Sequence, residues 1–350
     1  VQQQNKETLI LGIETSCDET SAAIVADGSR TLSNIVSSQV ELHARFGGVV
    51  PEIASRQHLL LVNSIIDDAL TRADLTFKNI DAVAVTQGPG LVGALLIGVA
   101  TAKALAYALR LPLVAVNHLE AHLYANYLSG APRDYPAVVL IVSGGHTELL
   151  LLEGAEQLTA LGCTRDDAAG EAFDKVARVL ELGYPGGPLI DKMATHGNPA
   201  AIDFPRALLN NNGEDYNFDF SFSGLKTAVI NHLYHARRRG ENINIPDVVA
   251  SFQEALVDVL VEKTVAAARA HSAKVVMLAG GVASNSRLRL RLQEQLKKDL
   301  PAVILHHPPL ELCTDNAAMI AAAAYPHYLA RRFAPLNLNA HPGLNLCSPG

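Results

Sequence analysis

Apolar and polar positions along this chain follow two rhythms, one of period two and one of three to four residues. The switches between them mark out its elements. Leu9–Thr15, Ser21–Asp27 and Thr31–Ser37 predict three strands, the first two joined by the polar turn Ser16-Cys17-Asp18-Glu19. From Glu52 to Thr71 apolar residues recur at three- and four-residue spacing behind Pro51, which predicts a helix. Strand Ala82–Thr86, loop Gln87-Gly88-Pro89-Gly90, helix Val92–Leu109, strand Leu113–Val116 and a helix starting near His118 follow. The second half repeats the order. Ala137–Val142, Glu148–Leu152 and Gln157–Leu161 predict strands, and Gly170–Leu182 and Asp247–His271 predict helices. Lys274–Ala279, Ser284–Leu296, Val303–Leu305 and Asp315–Leu329 predict a closing strand, helix, strand and helix.

Both halves therefore read βββαβαβα, an α/β architecture of mixed sheets with helices on their faces. Residue identity between the halves is low, so the repeat is one of architecture. Two lobes are predicted, 1–136 and 137–350, around a cleft of the kind where ligands usually sit. The polar, Asn-rich and irregular stretch Asp203–Pro246 reads as an insertion or flexible loop region in the second lobe, and the last helix is able to pack back on the first.

Composition narrows the class. The chain has 350 residues, 49% hydrophobic and 18% charged, which excludes intrinsic disorder and leaves material for a core. Lys plus Arg is 28 against Asp plus Glu 35, a formal charge of −7, so nucleic-acid contact must be local or assisted by a partner. Cys17, Cys163, Cys313 and Cys347 form no CxxC pair, which argues against a disulfide scaffold or zinc ribbon and fits a reducing compartment. Val1–Thr8 is polar and too short for a signal peptide, and no apolar run reaches about 18 residues without a charge or a breaker. The expectation is a soluble, intracellular protein with no membrane span.

The sharpest chemical signal is His118-Leu119-Glu120-Ala121-His122. On a helix the two histidines lie one turn apart on one face, the geometry of a two-histidine metal site. Two surface histidines give the same spacing. Glu120 lies about 200° around the helix from His118, badly placed for the base of an HExxH protease. In the repeat, the counterpart of this helix begins at Cys313-Thr314-Asp315-Asn316. If the halves face each other, Asp315 approaches across the cleft as a third ligand; otherwise it is an N-terminal cap, a role Thr314 also fits. Ser143-Gly144-Gly145-His146-Thr147, between two strands, offers unhindered backbone N–H groups and hydroxyls to an anion. The carboxylates of Asp18 and Glu19, in the matching first-half hairpin, repel bare phosphate and suit a cation, water or polar substrate group. Gly280-Gly281-Val282-Ala283-Ser284-Asn285 opens a helix after a strand, as where backbone approaches a ribose or base. Asp166–Lys175 places several carboxylates around a helix start, where one or two would be ordinary N-terminal caps, and Glu171 or Asp174 suits a ribose diol or an amine. Tyr184–Asp191 is a rigid turn delivering an aspartate, or a helix boundary. Arg237–Arg239, Arg287, Arg289, Arg291, Lys297 and Lys298 are the candidate nucleic-acid contacts.

Together these residues closely resemble the TsaD family, the universal transferases that build threonylcarbamoyladenosine in tRNA. The likeness runs from Gly12–Thr20 through Gly48–Glu52, His118–His122, Val142–Glu148, Asp167–Lys175, Tyr184–Pro188, Phe220–Lys226 and Gly280–Asn285 to Cys313–Asn316. It implies a duplicated actin-like (sugar kinase, Hsp70, actin) fold and one divalent metal, iron or zinc, on His118, His122 and Asp315. It places the adenylate of threonylcarbamoyl-AMP on Ile141, Val142, Ser143, Gly144, Gly145, Asp174, Gly187, Asp191 and Asn285. The acceptor it implies is the N6 amine of the adenosine 3′ of the anticodon in tRNAs reading ANN codons. Asp18 or Glu19 would orient or deprotonate that amine. TsaB-like and TsaE-like partner proteins belong to bacterial relatives and a homodimer to organellar ones, in cytoplasm, mitochondria or plastids. A metalloprotease (the older glycoprotease reading) and an ATPase on the same fold are the rival activities.

Overall fold

The computed structural model describes residues 6–155, 157–209 and 217–346. The described residues form two compact units, one within Val1–Gly130 and Thr314–Ser348, the other within Ala131–Cys313. Neither the first unit nor the repeat is a contiguous segment, because the last helix belongs to the first unit.

In the first unit, strands β1 (Leu9–Glu14), β2 (Glu19–Ala26) and β3 (Arg30–Ser38) lead into helices α1 (Val40–Ala44) and α2 (Pro51–Arg72). Strand β4 (Ala82–Gly88), helix α3 (Val92–Leu109), strand β5 (Leu113–Asn117) and helix α4 (His118–Leu128) follow. The sheet order is β3-β2-β1-β4-β5, with β1/β2 and β2/β3 antiparallel and β1/β4 and β4/β5 parallel. From Ile10 onward β1 is buried on both faces, which is why it reads as a continuous apolar run rather than an alternation. Helix α3 is long and apolar enough to cross a membrane by length and composition. Here its Ala94, Leu95, Gly98, Val99, Ala102 and Ala106 are buried.

In the second unit the strands are β6 (Ala137–Val142), β7 (Thr147–Gly154) and β8 (Gln157–Cys163), followed by helices α5 (Ala169–Val179), α6 (Gly186–Ala194), α7 (Ser223–Arg239) and α8 (Ile245–Ala270). Then come β9 (Val275–Ala279), α9 (Ser286–Asp299), β10 (Ile304–His306) and the short α10 (Leu310–Cys313). The order β10-β9-β6-β7-β8, with the same parallel and antiparallel pairings, repeats the first sheet strand for strand.

Helix α11 (Ala317–Leu329) joins the first unit because both sides of its contact are small. Ala317–Ala324 is buried throughout, and a Cβ on Gly12 of β1 would lie 2.4 Å from the carbonyl oxygen of Ala317. Only glycine lets backbone approach backbone this closely.

Two expectations need correction. The stretch Asp203–Pro246 is not irregular: it contains α7, whose apolar positions Leu225, Val229, Leu233 and Ala236 are buried at helical spacing. Its exposed polar face and three terminal arginines hide that stripe. The Asn-rich residues 210–216 lie outside the described residues. Of the two readings of Tyr184–Asp191, the rigid turn gives way to the helix boundary: the segment continues as α6, with Pro185 at the N-cap, so Asp191 stands on a helix.

Candidate metal centre and nucleotide-facing loops

Helix α4 starts where β5 ends because Asn117 caps it: its Oδ1 accepts from the N–H groups of Leu119 (2.8 Å) and Glu120 (3.3 Å). His118 and His122 thus occupy successive turns, with ring centroids 4.7 Å apart. Across from them, α11 is capped by Asn316, which accepts from Met319 N–H at 3.1 Å. Asp315 is therefore not the cap. Its Oδ1 lies 3.3 Å from His118 Nε2 and 3.2 Å from His122 Nε2. The three residues meet inside one unit, since α11 packs there, rather than by approach across a cleft.

The donor set fits a metal ion. One ligand atom from each residue lies within 4.8 Å of the others. Atoms bound about 2 Å from a shared ion sit roughly 3–4 Å from one another. Both His122 nitrogens are buried without a hydrogen-bond partner, despite the short distance to Asp315, and a metal would satisfy one of them. His118 is oriented from behind: its Nδ1 is 3.0 Å from Glu14 Oε2 and 3.3 Å from Ser16 Oγ. Glu14 is fully buried and also accepts from Ser16 N–H (2.5 Å) and the Thr86 hydroxyl (2.6 Å). A carboxylate behind a metal-facing histidine fixes its tautomer and raises its basicity.

Electrostatics bind these groups into one cluster. Burial opposes charge on Asp315, but His118 and then His122 hold its carboxyl well below the usual range. Glu14 is likewise lowered by His118 against the cost of burial. Burial pulls His118 down, but Asp315 and Glu14 outweigh it and push the imidazole well above the ordinary range. His122, buried and beside a charged His118, is lowered.

Asp18, on the turn between β1 and β2, is buried, and Glu19, the first residue of β2, is half-buried. Burial, with the charges of Asp315 and Asp18, pushes the Glu19 carboxyl well above the usual range. Glu120 turns away from the imidazoles and lies 3.3 Å from His327 Nε2, so it is not a base beside the two histidines.

The candidate nucleotide residues all belong to the second unit, and hydrogen bonds link them in series. Ser143 closes its tight turn by donating to His146 O (2.8 Å) and accepts from Gly170 N–H of α5 (3.1 Å). Farther along α5, Asp174 accepts from Gly186 N–H (2.7 Å), beside Gly187 at the start of α6. Asp191 of α6 accepts from Ser286 N–H (3.0 Å) and Oγ (2.9 Å), and Asn285 caps α9 by accepting from Leu288 N–H (2.9 Å). A Cβ on Gly144, Gly145 or Gly187 would meet nothing within 4 Å, so no packing demand explains these glycines. Ile141 and Val142 are fully buried on β6, with their backbone paired to β7 and, at Ile141, also to β9. Glu171 pairs with Lys175 at 2.9 Å, and Asp166 caps α7 instead of α5.

Two sets of site residues differ from the sequence reading. Glu14, Ser16 and Thr86 escaped it, although a carboxylate ending the apolar run Leu9–Ile13 is itself a signal, since buried charges are paired. Conversely, Arg287 is paired with Glu254 (2.6 Å), Arg291 with Asp258 (3.2 Å), and Arg289 donates to Ala283 O (2.6 Å), which removes that cluster from the nucleic-acid candidates.

Known proteins resemble this chain. A family model described as TsaD, tRNA N6-adenosine threonylcarbamoyltransferase, matches residues 30–322. The protein of that name from Moorella thermoacetica is 59% identical over 341 residues, covering 97% of this chain and 98% of the relative. Its counterpart from Desulfitobacterium hafniense is 56% identical over 342 residues, covering 98% of each. Among solved structures, component A of Acidaminococcus fermentans (R)-2-hydroxyglutaryl-CoA dehydratase superposes with TM-score 0.54 at 14% identity, over 92% of this chain and 99% of that one. Full-length HypF, solved with phosphate and nucleotide, gives TM-score 0.60 at 13% identity, over 93% of this chain and 47% of that one. At such identities the structures speak to the fold alone, and the fold is the duplicated actin-like α/β architecture. Family model, full-length relatives and repeated sheet agree: this chain belongs to the TsaD family of tRNA N6-adenosine threonylcarbamoyltransferases.

Proposed function

We propose that this chain transfers the threonylcarbamoyl group of threonylcarbamoyl-AMP to the N6 amine of the adenosine 3′ of the anticodon in tRNAs reading ANN codons. The amine nitrogen forms a bond to the carbamoyl carbon, the bond from that carbon to the phosphate oxygen breaks, and the amine gives up a proton as AMP departs. Two things support the reading: relatives of that name match over nearly the whole chain, and His118, His122 and Asp315 converge with the buried His122 nitrogens left without a hydrogen-bond partner. These three residues would hold one divalent ion, iron or zinc, a Lewis acid able to orient or polarise a bound oxygen. Glu14 keeps His118 Nε2 directed at that ion.

The adenylate would lie on Ser143–Gly145, with Asp174, Gly187, Asp191 and Asn285 around its nucleoside. Backbone N–H groups at an open turn suit the departing phosphate. Asp18 and Glu19 would orient the amine and take its proton. Asp18 fits proton acceptance better, because Glu19 is biased toward its protonated form. The relatives are bacterial, so TsaB-like and TsaE-like partners in the cytoplasm fit better than an organellar homodimer.

The test is direct. Incubating the purified, metal-loaded protein with threonylcarbamoyl-AMP and unmodified tRNA, with and without such partners, should yield modified adenosine and AMP in equal amounts. ATP turnover by the chain alone, or cleavage of a glycoprotein without tRNA modification, would overturn the reading.

A further inference from the structure

The turn Ser16–Asp18 lies between two strands, and each of its three carbonyl oxygens is held from a different segment of the chain. Ser16 O accepts from Leu91 N–H at 2.8 Å and Asp18 O from Gln39 N–H at 3.0 Å. Cys17 O is held by a side chain, His58 Nε2 of α2, at 2.9 Å. The other ring nitrogen, Nδ1, lies 2.8 Å from the Thr20 hydroxyl, and both His58 and Thr20 are fully buried. A carbonyl only accepts, so Nε2 carries the ring proton and Nδ1 accepts from Thr20. Burial holds this imidazole below the ordinary histidine range and so keeps it neutral, with both nitrogens engaged.

We propose that His58 is a positioning residue for the transfer reaction. It grips the backbone just before Asp18 and the side chain just after Glu19, and thereby sets where these two carboxylates point. The proposal rests on the reading of Asp18 and Glu19 as the groups that handle the attacking amine. A reacting group displaced by about 1 Å can lose roughly a hundredfold in rate, so a clamp on this turn is felt in kcat more than in binding.

A core histidine that only fills space predicts something different, and two isosteric variants separate the cases. The amide nitrogen of Gln reaches the place of Nε2, so His58→Gln keeps the bond to Cys17 O. The amide oxygen of Asn reaches the place of Nδ1, so His58→Asn keeps Thr20 and drops Cys17. Transfer from threonylcarbamoyl-AMP to tRNA is measured at saturation for both variants and for His58→Ala, along with tRNA KM, bound metal and Tm. The expected result is a kcat loss of about tenfold or more in His58→Asn and His58→Ala, with KM and metal content within about twofold of wild type. His58→Gln should recover kcat to within about threefold, although its Tm falls as far as that of His58→Asn. Equal kcat in the Gln and Asn variants, or kcat that merely follows Tm, overturns the proposal. Asp18→Asn and Glu19→Gln are assayed beside them. Impaired carboxylate variants with a fully active His58→Asn defeat the clamp alone. Fully active carboxylate variants defeat the reading of the turn and the clamp with it.

Discussion

Glu14 Oε2 stands 3.0 Å behind His118 Nδ1, a buried carboxylate on the first strand gripping an imidazole more than a hundred residues later. That contact ties the centre of the first sheet to the helix that presents the two histidines. Removing the charge without the shape, as Glu14→Gln, should weaken metal binding about 10- to 100-fold while the fold persists. Competition against a chromophoric chelator reads this out. His118→Ala, His122→Ala and Asp315→Ala should each lose metal and tRNA modification together, with far-UV circular dichroism unchanged. Full metal occupancy in any of the three would remove that residue from the ligand set.

Glycines 144 and 170 give opposite expectations. A Cβ at Gly144 meets nothing within 4 Å, whereas at Gly170 it would lie 2.6 Å from Ser143 O and 2.8 Å from Gly144 Cα. Gly144→Val should leave stability within about 0.5 kcal/mol and abolish adenylate binding by filling the open side of the turn. Gly170→Val should cost about 1–3 kcal/mol by overpacking. Calorimetric titration with AMP together with urea unfolding tests both, and undiminished AMP affinity in Gly144→Val would show that the phosphate sits elsewhere.

Lys263 of α8 is fully buried, donates to Asn217 O at 2.5 Å, and is pushed down by burial to about 8 from 10.5. The unfolded chain therefore binds more protons between those two values. The contribution of this lysine to stability rises with pH across that window, and below it the folded state bears the whole cost of burying the charge. Urea midpoints at pH 7.5 and 9.5 should thus shift in favour of wild type relative to Lys263→Met as pH rises. A difference that stays constant with pH would mean the lysine titrates normally.

With net charge −7, the Arg287–Arg291 cluster already engaged and Arg239 paired with Glu241 (2.6 Å), Arg237, Arg238, Lys297 and Lys298 are left of the candidate basic groups for tRNA. Four phosphate contacts correspond to a log–log salt slope of roughly −3 to −4. The isolated chain should bind tRNA weakly and with that slope, and a partner that widens the basic surface should tighten it. Binding of labelled tRNA over a salt series measures it, and tight binding with a slope near zero would show that base contacts dominate instead.

Periodicity along the chain was enough to determine the order of the strands, the βββ start shared by both halves, and the placing of His118 and His122 on one helical face, because each depends on residues within a few positions. The polar hairpins after β1 and β6 were legible for the same reason. What joins Asp315 and Glu14 to the histidines was not. It depends on α11 lying against β1, and that follows from Gly12 meeting Ala317 and Ala321, small residues whose spacing in the chain says nothing of their closeness. The α7 stripe of Leu225, Val229, Leu233 and Ala236 was masked by polar neighbours until burial revealed it. Only the tertiary structure, too, could separate paired arginines from free ones, since an ion pair is decided by where two helices pack and not by the charges each carries.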